Sequence, residues 1–231
     1  MLSLLTTCVN YSDYLLSTLP YNSIIFDNIY IVTTEQDKDT HRVINELNSI
    51  KQNITTLYTN IFFEDGSWGK TYFNQGGAIN FGLSNMGHKD WIVIGDADII
   101  YPVNIFNQLS SLEIDCLHGM YRYKIDKSED ILDAIKSYET EEVSNTYLNN
   151  AIIQYGQRRH GILGYCQLFN FSSSCIKNGF SYPQGPTASA VDIQFSRGYF
   201  PRKYRRLHKN YCLHLGETCK NWKGRVTKQW D

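Results

Sequence analysis

The sequence predicts a single α/β domain in which helices flank a mostly parallel central sheet. Strand-like and helix-like segments alternate through the first half of the chain, as they do where crossover helices connect parallel strands. Residues 91–95 (WIVIG) are continuously apolar, as in a central parallel strand that is covered on both faces. No linker-like shift in composition divides the 231 residues. A chain of this length buries enough surface for one sizeable core.

The first half of the chain contains four predicted strands and three predicted helices. Residues 2–8 form a short apolar run that ends in polar residues. Residues 38–50 place four apolar side chains on one helical face: Val43, Ile44, Leu47 and Ile50. Residues 75–85 carry glycine and alanine, which allow a helix to pack close to other backbone. The predicted strands are 2–8, 28–33, 54–58 and 91–95, and the predicted helices are 11–18, 38–50 and 75–85.

The second half is less regular. Its predicted strands are 116–125, 164–169 and 211–215, its predicted helix is 188–200, and a basic, aromatic tail follows. Residues 128–150 are charged and helical in character without a clean apolar stripe, so we expect a surface excursion there.

Composition narrows the class of protein. A net charge of −1 argues against a surface coated in basic charge, although it leaves room for a local basic patch. The apolar runs are far shorter than the roughly 18 residues that span a bilayer. The N-terminus (MLSLLTTCVNYSDYLL) lacks a basic segment and is typical of a first strand, not of a signal peptide.

The six cysteines show no CxxC spacing, which predicts reduced, buried thiols in a cytoplasmic protein. Four of them lie in apolar, strand-like stretches: Cys8, Cys116, Cys166 and Cys212.

Two aspartates follow the clearest strand. Asp96 and Asp98 stand at positions i and i+2 directly after residues 91–95. In an open parallel sheet, ligands bind beyond the carboxyl ends of the strands. Two carboxylates at this spacing share a face, and oxygen ligands of this kind suit Mg²⁺ or Mn²⁺ with its attached phosphates. The alternative is an ordinary solvated turn at a strand end.

A second candidate group lies near the C-terminus, in the segment CLHLGETCKNWKGR. His214 follows an apolar stretch, and its imidazole can complete the coordination of Mn²⁺. Lys220 and Arg225 would neutralise a diphosphate, and Trp222 would cover it. Taken alone, His214 is equally well a structural histidine at a strand end.

These segments together resemble the GT-A-type glycosyltransferases, in which a DxD motif holds a metal and the diphosphate of a nucleotide sugar. SLLTTCVNYSDYL resembles the first strand and turn of that fold, FNQGGAINFGL the small-residue helix before the DxD strand, and SAVDIQFSRGYF the helix near the acceptor. HLGETCKNW resembles the H-x-x-G-x-x-K-P-W ending of some retaining members, with the glycine one position early and Asn221 in place of proline. The pair of aspartates common at the second strand of inverting members is replaced by Thr33 and Thr34. The small size is similar to that of compact viral or bacterial members.

The resemblance implies a Rossmann-like half that binds the nucleotide sugar (1–100) and a half that binds the acceptor and carries the C-terminal metal and diphosphate loop (101–231). It implies that Asp98 binds Mn²⁺ or Mg²⁺ directly, that Asp96 contacts the ribose or the metal through water, and that His214 is the third protein ligand. The residues implied to contact the donor are Thr6, Thr7 and Thr34 near the nucleobase, Lys70 and Asn80 beside the diphosphate or sugar, and Lys220, Trp222 and Arg225 at the diphosphate.

The resemblance also assigns the acceptor side. Asp192 would be the catalytic base of an inverting transfer, or would orient the acceptor in a retaining one. It is equally well a charge that stabilises a helix N-terminus. Gln167 and Tyr165 would face the transferred sugar or the acceptor, and Tyr165 is equally well a core residue. The expected reaction is sugar transfer from a nucleotide sugar, with a UDP-sugar favoured, to a saccharide hydroxyl.

Three alternatives stay open. The basic segment at 202–209 (RKYRRLHK) allows three interpretations: a solvated turn, a contact of Arg205 or Arg206 with an anionic glycan or the donor diphosphate, or a contact with the DNA backbone. In the third case the acceptor would be a hydroxymethylated DNA base. A sugar-phosphate nucleotidyltransferase usually carries a glycine-rich loop after the first strand, where this chain has TTCVNYSDY. A non-catalytic carbohydrate-binding protein would leave the aspartates, His214 and the basic tail unexplained as a set.

Overall fold

An eight-stranded sheet organises the computed structural model of the chain, which describes residues 1–87, 90–102, 109–126, 128, 130–137, 161–176, 180–217, 220–227 and 229–230. The strands are β1 (Leu2–Thr7), β2 (Asn28–Thr33), β3 (Ile54–Tyr58), β4 (Trp91–Asp96), β5 (Ile99–Ile100), β6 (Leu117–Ile125), β7 (Gln167–Asn170) and β8 (Arg205–Leu215). The helices are α1 (Ser12–Ile25), α2 (Lys38–Asn48), α3 (Gln75–Asn85), α4 (Asp130–Ser137) and α5 (Val191–Tyr199), with short 3₁₀ turns at Leu109–Ser111 and Arg202–Tyr204.

The strand order is β3-β2-β1-β4-β7-β6-β8-β5. Strands β1 to β4 lie side by side and run parallel to one another, and β6 runs parallel to β8. Only β7 and β5 run against the strands beside them. Most strands therefore share one direction, and the predicted mostly parallel α/β domain is confirmed.

The sheet curls because β4 and β5 are joined by two residues, Ala97 and Asp98, although three strands separate them in the sheet. Strand β5 pairs with the end of β8, where Ile99 lies opposite His214. The backbone N–H of Leu215 also donates to the carbonyl of Asp98 at 2.9 Å. The curl thus brings the segment after β4 against the end of β8, although the two are far apart in sequence.

Helix α1 fixes this connection from outside the sheet. The hydroxyl of Thr18 donates to the carbonyl of Ala97, and the side-chain amide of Asn22 donates to the carbonyl of Ile99, both at 2.8 Å. Both polar side chains are buried, so each hydrogen bond prevents an unpaired polar group in the core.

The core forms layers on the two faces of the sheet. On one face, Leu15 of α1 and Val43 of α2 pack with strand residues such as Ile31. On the other, Ile79 of α3 and Phe195 of α5 pack with residues such as Ile94. A central strand covered on both faces is what the continuous apolar run at 91–95 predicted.

Several element boundaries differ from those predicted. Helix α1 runs through Pro20 to Ile25 instead of ending at residue 18, because its buried face continues through Leu19 and Asn22. Strand β5 was not predicted. Of the predicted helical excursion at 128–150, the structure describes a helix only at 130–137, and residues 138–150 lie outside the described part.

Strand β8 is also longer than the predicted 211–215. It begins at Arg205 because it pairs in parallel with the whole of β6, from Leu117 opposite Arg205 onward. Five of the eight residues of the basic segment, 205–209, are therefore strand and not a solvated turn.

The cysteines follow the prediction where they are described. Cys8, Cys116, Cys166 and Cys212 are buried free thiols, and Cys175 is a half-buried one. Cys219 lies outside the described residues. Within the described ranges, no helix is both long enough and apolar enough to cross a bilayer.

Candidate active site

A cavity of about 460 Å³ lies at the carboxyl ends of β1 and β4, within the size range of small-molecule sites. Strands contribute Thr7, Asp96, Arg122 and His214 to its wall, and the segment after β4 contributes Asp98. The rest of its polar lining is Tyr11, Gln75, Tyr165, Ser189, Asp192, Glu217, Lys220, Asn221, Trp222 and Arg225. The cavity therefore gathers both predicted groups, the aspartates and the C-terminal segment.

Asp98 and His214 face each other on the cavity floor. Their nearest atoms, Oδ1 of Asp98 and Nε2 of His214, are 3.9 Å apart, too far for a hydrogen bond. Both side chains are buried, and neither Oδ1 of Asp98 nor Nδ1 of His214 has a hydrogen-bond partner within the described ranges. Buried polar atoms without partners are rare in folded proteins, so this pair is poised to receive a ligand.

Asp96 is held differently. Its Oδ1 accepts a hydrogen bond from Nε2 of Gln75 at 3.3 Å, and the same nitrogen lies 3.4 Å from the hydroxyl of Thr7. Gln75 therefore links the ends of β1 and β4 and orients the first aspartate. It was not predicted as a site residue.

The electrostatics of the site disfavour charge. Burial raises the pKa of Asp98 to about 7, and burial together with the nearby Asp98 raises that of Asp96 to about 6. Burial and the positive Arg122 lower the pKa of His214 to about 4, so the imidazole is neutral at physiological pH. Two crowded carboxylates beside a neutral imidazole are what a bound cation would stabilise.

The three predicted metal ligands are not assembled as a set. Among the described residues, no three His, Cys, Asp or Glu side chains converge closely enough to hold an ion. Asp98 and His214 form a facing pair, whereas Asp96 is engaged by Gln75. The protein thus offers two ligands directly.

Gly95 and Tyr101 set the position of the aspartates. A Cβ at Gly95 would lie 1.7 Å from the hydroxyl of Tyr101, which crosses directly beneath the strand. That hydroxyl donates to the carbonyl of Tyr165 at 2.8 Å. Tyr165 in turn donates its own hydroxyl to the carbonyl of Met120 at 2.8 Å, so its polar end is used inside the core while its ring reaches the cavity wall.

Asp192, the predicted base, lines the cavity from the first turn of α5. Its Oδ2 accepts from the backbone N–H of Gly164 and its Oδ1 from that of Ile193, both at 2.7 Å. Burial raises the pKa of Asp192, and these two hydrogen bonds offset part of that rise. The carboxylate is held rigidly at the cavity edge.

Gln167 supports Asp192 from behind. It is fully buried, its Nε2 donates to the carbonyls of Ile162 and Asp192, and its Oε1 accepts from the hydroxyl of Tyr182 at 2.7 Å. The prediction that Gln167 faces the sugar is not met by this placement, because every polar atom of its side chain is used within the fold.

The C-terminal segment forms one wall of the cavity. The guanidinium of Arg225 pairs with the carboxylate of Asp13 and lies 4.9 Å from the ring centre of Tyr11. Asn221 donates to the hydroxyl of Tyr11, and the carbonyl of Trp222 accepts from the N–H of Ala188 at 2.9 Å. The segment thus spans from α1 to the loop before α5.

The two cations of this wall differ. Arg225 is neutralised by Asp13, whose pKa stays below its usual value because hydrogen bonds from Arg225 and from the backbone of Trp230 outweigh its burial. Lys220 is exposed and pairs with Glu217 at 2.7 Å. Trp222 presents a half-exposed ring to the cavity.

Four predicted donor contacts lie outside the cavity lining. Thr6 and Thr34 are buried, and Asn80 holds the backbone of Tyr182 through hydrogen bonds of 2.6 and 2.8 Å. Lys70 is exposed in the segment before α3. Of the predicted nucleobase residues, only Thr7 reaches the cavity.

Sequence reasoning also missed Arg122. This buried arginine lies near the middle of β6, and its guanidinium sits 5.0 Å from the ring centre of Tyr165 at the cavity wall. The sequence indicates a role for Arg122 only through its charge at a position within a strand, and the structure shows that this position is buried.

No family model matches the chain, and no curated protein matches it. Solved structures do. A mannosyltransferase from Pyrobaculum calidifontis, in complex with GDP-Man and Mn²⁺, is similar over 92% of this chain with a TM-score of 0.59 and 11% identity. This chain covers 56% of that protein's length.

A second similar structure is the glucosyl-3-phosphoglycerate synthase of Mycobacterium tuberculosis, in complex with Mn²⁺, UDP-Glc and phosphoglyceric acid. The match covers 94% of this chain and 72% of the synthase, with a TM-score of 0.51 and 13% identity. At these identities the likeness concerns the fold. The chain therefore has the fold of the GT-A glycosyltransferases, as its sequence resemblance implied.

Proposed function

We propose that this protein is a metal-dependent glycosyltransferase that moves a sugar from a nucleotide-sugar donor to a hydroxyl group of an acceptor. One observation carries the proposal. At the carboxyl ends of parallel strands, on the floor of a ligand-sized cavity, Asp98 and His214 face each other. Among the residues that the structure describes, neither Oδ1 of Asp98 nor Nδ1 of His214 finds a hydrogen-bond partner. The fold supports it, since both similar structures described above contain Mn²⁺ and a nucleotide sugar.

The residues present fit a divalent cation. A carboxylate oxygen and a neutral imidazole suit Mn²⁺, and Mg²⁺ typically takes one or two carboxylates together with substrate phosphates. Asp98 and His214 would hold the ion, with Asp96 beside them. When bound, the metal supplies Lewis-acid stabilisation of the departing diphosphate.

The remaining groups of the cavity bind and orient the donor. Thr7 and Tyr11 lie at the end of β1, where the nucleobase side of the pocket would be. Arg122 places positive charge at the wall, where it would stabilise the negative charge that develops on the leaving group. Lys220 would add to it, because its pair with Glu217 is exposed to solvent and therefore weak. Arg225, already paired with Asp13, shapes the wall instead.

Asp192 is the proposed contact to the acceptor. Its carboxylate sits at the cavity edge, and its raised pKa brings it closer to that of an effective proton acceptor. The hydrogen bonds from Gly164 and Ile193 fix its direction, so it either takes the proton of the acceptor hydroxyl or orients that hydroxyl against the anomeric carbon. We favour a UDP-sugar as donor and a saccharide as acceptor. The cavity draws Asp98 from the 1–100 half and Asp192 from the 101–231 half.

A donor screen tests the proposal. We expect Mn²⁺-dependent release of nucleoside diphosphate from one member of a panel of UDP- and GDP-sugars, accelerated by a saccharide acceptor and abolished by EDTA. NMR of the product anomer then decides the role of Asp192. Release of pyrophosphate from a nucleoside triphosphate and a sugar phosphate would instead identify a nucleotidyltransferase. Failure of UDP and GDP to bind with Mn²⁺ in calorimetry would contradict the proposal.

The affinity for Mn²⁺ is expected to rise with pH. Asp98 has a pKa of about 7 in the metal-free protein, so protons compete with the metal below that value, whereas His214 with its pKa of about 4 is already neutral. Between pH 7 and 5.5 the affinity should fall by nearly tenfold per pH unit, and above pH 8 it should level off. Isothermal titration with MnCl₂ across this range measures it. A flat profile from pH 5.5 to 8 would remove Asp98 from the metal site.

A further inference from the structure

A second basic feature lies at the start of β8, outside the site described above. Four cations line a shallow groove: Arg202, Lys203, Arg205 and Arg206. The first two belong to the exposed 3₁₀ turn before β8, and the other two begin the strand. No acidic side chain is among the residues that line it.

Arg205 is the unusual member of this group. Only 6% of the residue is exposed, yet its Nε and Nη1 atoms have no hydrogen-bond partner among the described residues. Burial and repulsion from Arg197 and Arg202 lower the pKa of this guanidinium, so its neighbourhood adds positive charge and does not compensate it. An uncompensated buried cation destabilises a fold, and its presence calls for a function.

Arg206 is occupied and gives the groove its shape. Its guanidinium donates to both carboxylate oxygens of Glu113, at 3.0 and 2.7 Å, and to the carbonyl of Lys203 at 2.6 Å. Glu113 is thereby engaged by Arg206. The second contact ties the 3₁₀ turn to the strand and holds it over Arg205.

The groove is remote from the cavity. Arg205 lies opposite Leu117 of β6 and His214 lies opposite Lys124, because a bulge interrupts β8 between them. The seven residue steps along β6 from Leu117 to Lys124 span roughly 23 Å at about 3.3 Å per residue. Neither Arg205 nor Arg206 lines the cavity. The expectation that one of them meets the donor diphosphate therefore does not agree with where they lie.

We propose that this groove is a binding site for a phosphate group, with the buried guanidinium of Arg205 as its central contact and Arg202 and Lys203 at its rim. The Nε and Nη1 groups that find no partner among the described residues lie on different edges of the guanidinium, and each can donate a separate charge-assisted hydrogen bond to an anion that enters the groove. Arg202, Lys203 and Arg205 form no ion pair with a carboxylate in the described part of the chain, and three such cations suit a dianion better than a single carboxylate. The inference does not depend on the reaction proposed for the cavity.

Arginine-to-methionine exchange at position 205 provides the main test. Arg205→Met removes the charge while keeping much of the side-chain length. We expect its melting temperature in phosphate-free buffer to equal or exceed that of the unaltered protein, because an uncompensated buried charge is lost. We expect inorganic phosphate to raise the melting temperature of the unaltered protein, with sodium chloride at equal ionic strength as the reference, and this shift to be lost in the variant.

Two exposed positions and one control complete the design. Arg202→Gln and Lys203→Gln lie at the rim, should not affect folding, and should each weaken the calorimetric Kd for phosphate by about threefold or more. Arg42→Gln, on the exposed face of α2, should leave it unchanged. If Arg205→Met does not fold, the two rim variants carry the test.

Three results would overturn the inference. The first is an equal phosphate shift in the unaltered protein and in Arg205→Met. The second is an equal shift with chloride alone. The third is binding of a 20-base-pair DNA duplex that depends on Arg205 without any effect of free phosphate, which would make the groove a nucleic-acid contact and not a phosphate site.

Discussion

Replacement of Asp98 by asparagine is expected to abolish sugar transfer and, in the metal-free protein, to raise the melting temperature. The asparagine keeps the shape of the side chain but removes the charge that would hold the cation, so turnover should fall by about a thousandfold or more. In the metal-free protein the same charge is buried and lies close to Asp96, and its Oδ1 accepts no hydrogen bond from the described residues.

The sign of the stability change follows from the pKa. Asp98 has a pKa of about 7 when folded and an ordinary value of 3.8. The folded state therefore holds an extra proton between these values, and the stability of the protein falls as pH rises through this window. At pH 8 the ionised carboxylate costs roughly 2–4 kcal/mol. Asp98→Asn should recover part of this and raise the melting temperature at pH 8 by roughly 5 °C. At pH 4 the gain should disappear.

Asp39→Asn is the matched control for this experiment. Asp39 is an exposed aspartate that pairs with Arg42 on α2 and does not line the cavity. Its replacement should leave both turnover and melting temperature nearly unchanged. Retention of more than about a tenth of the activity by Asp98→Asn, or a lower melting temperature at pH 8, would argue against a buried metal-binding carboxylate.

Apolar patterning was sufficient to predict much of the sheet. Strands β2 and β3 have the predicted bounds, and β1 and β4 differ by one residue at one end. Strands β1, β2 and β4 are almost wholly buried, and buried parallel strands are encoded by short continuous apolar runs. The position of Asp96 and Asp98 followed from the same pattern, since ligand sites lie beyond the carboxyl ends of such strands.

Features that depend on distant partners could not be predicted in this way. The first half of β8 carries arginine and lysine and becomes a strand only because β6 lies beside it. Strand β5 is two residues long and exists only through its pairing with β8. Gln75, at the start of α3, and Arg122, on β6, reach the cavity only through the packing of elements that are distant in sequence, which no local spacing encodes.

Gly95 tests the scaffold that positions the aspartates. Gly95→Ala would place a methyl group 1.7 Å from the hydroxyl of Tyr101 and 3.2 Å from the carbonyl of Tyr165, both inside the core. Neither neighbour is a flexible chain end, because Tyr101 is almost completely buried and its hydroxyl is hydrogen-bonded. We expect the variant to lose about 3 kcal/mol or more of unfolding free energy, measured by urea denaturation. Gly198→Ala is its control, since a Cβ there meets nothing within 4 Å and a helical alanine should stabilise slightly.

A second substitution separates this clash from a general intolerance of side chains at position 95. Tyr101→Phe removes the hydroxyl and alone should cost about 1–2 kcal/mol, because the carbonyl of Tyr165 loses its donor. Combined with Gly95→Ala it also removes the atom in closest conflict, leaving the ring carbon at 3.0 Å. The double variant should therefore be more stable than Gly95→Ala alone, with a coupling free energy of about 1–3 kcal/mol. Strictly additive losses would show that the Tyr101 hydroxyl is not what requires glycine beside Asp96.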